Sequence, residues 1–209
     1  NRAEGVQLLS TMFHFSRRIK IFIALIVVVL GGYIANSRLG FSSNGVPADF
    51  KEARLQGGVI AQDIVNISNR MSQELAMINK LDGEGNLAEA LNQTTALLRE
   101  TDAVKNRAVE LSTELEKMTG ALATIKSPEA RTAALESISN RLALISRLLS
   151  YNTYLIQLLT TLRDRFTGMP TNMEVATIIA QINAEVNAIN NFNREAGQAM
   201  DRFDRITKE

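Results

Sequence analysis

The side chains that do most protein chemistry are nearly absent from this chain. It has no cysteine, which excludes thiolate nucleophiles, thiolate metal sites, disulfides and covalent haem attachment. Its one histidine is His14, so from Ser37 to Glu209 no imidazole is available to shuttle a proton or ligate a metal. A di-iron bundle needs Glu-x-x-His pairs on facing helices, and these cannot be assembled without a histidine. No Gly-rich phosphate loop, Ser-His-Asp set or HExxH helix occurs. The run Asp82-Gly83-Glu84-Gly85 offers too few oxygens for a calcium cage, and its two glycines mark it as a chain reversal. No catalytic, metal or cofactor residue is therefore expected, and the sequence predicts a protein that is not an enzyme. Carboxylates paired across helices are the one catalytic design left open.

What remains is a set of amides and phenols. Asn183, Asn187, Asn190, Asn191 and Asn193 crowd the last predicted helix, and Tyr151, Asn152, Tyr154 and Gln157 cluster in the one before it. One reading makes them the polar lining of a small-ligand site between helices. The other leaves most of them in solvent and gives Asn152, at a seam position, the task of fixing helix register.

The net charge of +1, spread over both signs, provides no basic stripe for a phosphate backbone, so nucleic acid is not expected as a partner. Tryptophan is absent, prolines number three and aromatics make up 5% of a 209-residue chain. The abundance of Ala, Leu, Ile, Glu and Arg is helical in character. That length fits one apolar anchor and one folded module.

The anchor is expected at residues 19–36. Its apolar body is Ile21, Phe22, Ile23, Leu25, Ile26, Val27, Val28, Val29 and Leu30, with Tyr33 at the far interface and Lys20 as the single charge. A spanning helix needs roughly 17–25 residues, and the bilayer is the expected partner. Arg17, Arg18 and Lys20 crowd the near side against Arg38 on the far side, which predicts a cytoplasmic N-terminus for residues 1–18 and an external C-terminal module. The competing reading is a cleaved secretory signal with a small-residue site at Ala35-Asn36-Ser37. Before the anchor, Val6, Leu9 and Met12 or Phe13 share one side of a short segment that could lie along the cytoplasmic membrane surface.

Residues 37–46 are rich in Gly, Ser and Asn and read as a flexible linker. Four helices then follow, at about 47–81, 87–126, 128–166 and 172–207, separated by Asp82-Gly83-Glu84-Gly85-Asn86, Lys126-Ser127-Pro128 and Thr167-Gly168-Met169-Pro170. Apolar residues step by threes and fours in each. Ile64, Met71 and Ile78 do so in the first, with a weaker stretch near Gly57-Gly58 that favours a bend, and Ile182, Val186 and Ile189 in the last. In the third helix a heptad row of Leu135, Ile138, Leu142, Ile145, Leu149, Asn152, Ile156 and Leu159 is expected to form the seam. Beside it runs a second stripe, Leu144, Leu148, Tyr151, Leu155, Leu158 and Leu162. It reads either as intramolecular core or as a surface for another membrane subunit or a second copy.

The fold class that follows is all-α: a single N-terminal transmembrane helix carrying an elongated, antiparallel, up-down-up-down four-helix bundle. An N-terminal anchor with an external four-helix bundle resembles the sensor modules of bacterial chemoreceptors and histidine kinases. That resemblance implies an extracytoplasmic ligand-sensing module in a bacterial cytoplasmic membrane. No second apolar span follows Ile206-Thr207-Lys208-Glu209, which argues against a whole receptor. The leading expectation is a non-enzymatic, membrane-anchored structural or accessory subunit whose bundle mediates protein–protein assembly outside the cytoplasm, in the periplasm. Ligand sensing is the alternative.

Overall fold

Capping residues decide where the helices begin and end. A computed structural model describes residues 45–171 and 173–208. In it, four long helices account for nearly all of those residues: α1 (Ala48–Gly83), α2 (Leu87–Ala121), α3 (Pro128–Phe166) and α4 (Val175–Lys208). The expected anchor from Ile21 to Tyr33, its cations Arg17, Arg18 and Lys20, and the linker up to residue 44 lie outside the described residues. Among the described residues, no helix is long and apolar enough to cross a membrane.

Two of the three connections close in the same way. After α1, the Asn86 N–H reaches the Leu81 carbonyl across Gly85, which sits at φ 74°. After α3, the Met169 N–H reaches the Asp164 carbonyl across Gly168 at φ 73°. A side chain at either glycine would be strained, because the left-handed region is open mainly to glycine. Gly83, the other glycine of the first turn, is the last helical residue of α1. The third connection tightens. α2 ends at Ala121, earlier than residue 126, and passes through a 3-10 turn at Leu122–Thr124.

Ser127 then starts α3. Its hydroxyl oxygen accepts from the Ala130 N–H (3.2 Å), and the hydroxyl donates to Glu129 Oε2 (3.0 Å). Pro128 follows at a position where no N–H is needed. The Glu129 backbone N–H and the Ser127 hydroxyl hold that carboxyl below its usual range. Ser127→Ala is expected to cost about 1 kcal/mol, the usual worth of a lost N-cap, as read by urea denaturation.

Ion pairs show that sequential helices run antiparallel. Asp63 and Arg70 on α1 meet Arg107 (3.4 Å) and Glu100 (3.0 Å) on α2, so numbers rise on one helix as they fall on the other. On the second hairpin Glu136 meets Arg202, and Arg147 meets Glu185 (3.7 Å). α4 returns beside the start of α1, where Arg54 pairs with Asp204. At roughly 1.5 Å per residue, helices of 34–39 residues are about 51–59 Å long.

The helices share one core, with Phe50, Ile64, Leu97, Leu115, Leu155 and Phe203 among its most enclosed side chains. α1 is continuous through Gly57-Gly58, both of which are buried. Packing is most extensive between α3 and α4, then between α1 and α2, then between α2 and α3. α1 and α4 come together far less than any of these pairs.

Candidate functional site

The stripe Leu144, Leu148, Tyr151, Leu155, Leu158 and Leu162 does not lie on the surface. All six residues are 0–6% exposed, and they face inward with the core of the bundle. Their reading as a partner surface is corrected by geometry. In a straight α-helix the inward direction recurs every 3.6 residues, and this row, stepping by threes and fours, keeps to it. Burial also pushes the Tyr151 phenol above its ordinary pKa.

Only half of the heptad row beside it is turned inward. Leu135 and Leu142 are 49% and 44% exposed, while Ile145 and Leu159 are buried. The row splits rather than winding inward: Ile138, Ile145, Asn152 and Leu159, seven apart, are all buried, while the alternate positions Leu135 and Leu142 are turned outward. Leu135 and Leu142 lie on the flank of α3 toward α2. α2 carries exposed Val109 on its own flank toward α3. Apolar side chains therefore remain uncovered along the outer side of the α2–α3 seam.

The amides and phenols do not converge. Tyr154 lies one heptad above Arg147 and five turns above Glu136, both of which meet α4, so Tyr151, Tyr154 and Gln157 belong to the α3–α4 side. On α4 the opposite flank carries the asparagines. Counting back from Asp204, which meets α1, by sevens gives Gly197, Asn190 and Asn183, all partly buried. The matching flank of α1 carries Gln62, Asn69 and Ala76, also partly buried. The Arg54–Asp204 pair sets these two rows at the same heights within about a residue. The α1–α4 seam is thus lined by amides and small residues, and Asn69 Oδ1 is enclosed there without a hydrogen-bond partner. Asn187 and Asn191 are exposed. Asn152 is buried, and its Oδ1 also lacks a partner.

Several polar residues sit in the core, Thr94 and Thr101 at positions in step with the apolar row of α2. Thr94, Thr101 and Ser72 are buried, each hydroxyl donating to a carbonyl of its own helix (2.7, 2.8 and 2.9 Å). Ser137 donates to the Ala196 carbonyl of α4 (2.9 Å). Arg54 is also buried, and its signal was present but masked. It occupies the inward slot four residues after Phe50, among Ala53, Gly57, Gly58 and Ala61, which are too small to register as an apolar row.

An open cleft of about 530 Å³ lies between the start of α1 and the end of α2, lined by Asp49, Glu52, Glu114 and Lys117 among others. Lys117 donates to Glu114 within it (2.8 Å). Among the described residues no group of three or more His, Cys, Asp or Glu side chains could hold a metal ion.

Glu74 is a carboxyl held above its usual range. Burial is the largest cause, the neighbouring Glu100 adds to it, and Arg70 works against it. A raised folded-state pKa means that the folded chain keeps this proton better than the unfolded one. The associated stability is present in acid and lost as pH rises through the carboxylate range. Glu74→Gln is therefore expected to raise the melting temperature at neutral pH and leave it unchanged in acid, as read by thermal unfolding at the two pH values.

Comparison of the chain with protein-family models, curated proteins and solved structures found no match.

Proposed function

We propose that this chain is a non-enzymatic, membrane-anchored accessory or structural subunit, whose bundle docks on a second copy or on another protein of the same membrane. The reading places the apolar run between Ile19 and Ala35 in a bacterial-type cytoplasmic membrane, with Arg17, Arg18 and Lys20 on the inner side. An up-down-up-down rod of roughly 55 Å then stands off the outer face, beginning where α1 begins.

The observation that carries it is the uncovered apolar flank of Val109, Leu135 and Leu142 on the α2–α3 side. Large side chains half-exposed on one flank of a well-packed bundle favour contact with another surface. The dispersed carboxylates support the non-catalytic part. Many are committed to cations across a helix boundary, as in Asp63, Glu100, Glu136, Glu185 and Asp204.

The test is purification of the full chain from native membranes in mild detergent. The chain is expected to resist alkaline extraction and to lose that resistance with Leu25→Arg and Val28→Arg together. Leu135→Glu with Leu142→Glu is expected to release the co-purifying subunit, or to shift the chain from oligomer to monomer, with its melting temperature unchanged. A chain that washes off intact membranes, or whose assembly state ignores both glutamates, defeats the proposal.

A further inference from the structure

Most polar contacts between the helices sort by hairpin; besides Arg54–Asp204, the exception among the described residues is Arg165–Asp82, which ties the end of α3 to the end of α1. Asp63–Arg107 and Arg70–Glu100 tie α1 to α2, while Glu136–Arg202, Arg147–Glu185 and the Ser137–Ala196 hydrogen bond tie α3 to α4. The packing is most extensive within these same two pairs. Between the hairpins, α2 and α3 share a substantial contact and are joined by the short connection at 122–127, whereas α1 and α4 come together far less.

The α1–α4 side is also the one whose flanks carry little apolar bulk. Gln62, Asn69 and Ala76 stand level with Gly197, Asn190 and Asn183. Amides exposed by parting such a seam regain hydrogen bonds from water, and a glycine or an alanine has little side chain to expose, so little stabilisation is lost along these flanks. At the lower end the seam is closed differently. Both terminal guanidinium nitrogens of Arg54 donate to the two carboxylate oxygens of Asp204 (2.6 and 2.8 Å), with side-chain exposures of 6% and 21%. One turn away, the rings of Phe50 and Phe203 pack at 5.1 Å between centroids. A bidentate, largely enclosed ion pair beside an aromatic pair is the strongest kind of contact available at a helix flank.

We propose that the α1–α4 seam is where this bundle opens. The α1–α2 and α3–α4 hairpins part along it as two stiff halves turning on the α2–α3 contact, and two ties hold them shut, the Arg54–Asp204 and Phe50–Phe203 clasp at the end where α1 begins and the Asp82–Arg165 pair at the other. Free-energy gaps between such sub-global openings and full unfolding arise where packing is uneven, and the packing here is uneven in this way. The clasp lies within ten residues of Gly45, so movement of the chain entering α1 reaches it before any other inter-hairpin contact. This inference does not depend on membrane anchoring.

The test uses the full chain, whose lack of cysteine allows paired nitroxide labels without background. Gln73→Cys with Asn187→Cys, both at exposed positions, reports across the seam, and Gln73→Cys with Ala96→Cys reports within the first hairpin. Arg54→Glu sets two carboxylates against each other. It is expected to add a cross-seam distance population longer by about a helix diameter, roughly 10 Å, while the within-hairpin distance stays fixed. The reversed pair, Arg54→Glu with Asp204→Arg, is expected to restore the short distance. An unchanged cross-seam distance in Arg54→Glu overturns the proposal. So does simultaneous broadening of both distances, which would mean that the bundle melts as one unit.

Discussion

Leu155→Ala is expected to destabilise the bundle by about 2–5 kcal/mol, whereas Leu142→Ala, thirteen residues away on the same helix, is expected to change stability by no more than about 0.5 kcal/mol. Urea unfolding followed by circular dichroism reads both. Leu155 is fully enclosed, so truncation loses the transfer free energy of its side chain and leaves a cavity that four long helices cannot easily collapse. Leu142 is 44% exposed and keeps water on one side whether or not its methyl groups are present. If the heptad row formed the seam of a supercoiled α3, the order would reverse. A larger loss at Leu142 would therefore show that the inward face had been assigned to the wrong row.

That pair of residues also shows what could be read from sequence and what could not. The four helices were visible because their breaks are chemical: Gly85, Ser127-Pro128 and Gly168 act through φ angle, side-chain capping and a missing N–H. The inward face of α4 was equally visible, since Ile182, Val186 and Ile189 are enclosed and its polar residues leave that row clear. On α3 two apolar rows compete, and both repeat every seven residues, so spacing alone does not say which is turned inward. The outcome depends on where the three neighbouring helices sit around α3. The amide seam was half visible. The density of asparagine on α4 stood out, but its counterparts on α1, Gln62 and Asn69, are ordinary surface residues until the Arg54–Asp204 pair fixes the register.

Asp204→Ala is expected to cost about 3 kcal/mol or more, the second large effect. It removes the carboxylate from a guanidinium that is 6% exposed and one turn from the Phe50–Phe203 pair. Taking one partner from an enclosed ion pair typically costs about 3–5 kcal/mol, because the desolvation already met by the other charge is no longer offset. Arg54→Ala is expected to cost less, since Asp204, at 21% exposure, can recover hydration. A double-mutant cycle on the two alanine variants separates the pair's coupling from the packing of the arginine stem. Equal losses in the two single variants with no coupling between them would reduce the pair to packing alone.

That Asp63–Arg107, Arg70–Glu100, Glu136–Arg202 and Arg147–Glu185 all lie within α1–α2 or α3–α4 bears on how the polypeptide acquires its shape in the first place. Neighbouring helices joined by a tight reversal meet at short sequence separation, so each half can form early, with little loop entropy to overcome. During synthesis the first half can pair once Ala121 has left the ribosome, before α3 has emerged from it. It then waits with one apolar face bare until the second half arrives. That interval, rather than the finished rod, is when this chain is most exposed to aggregation and most in need of a chaperone.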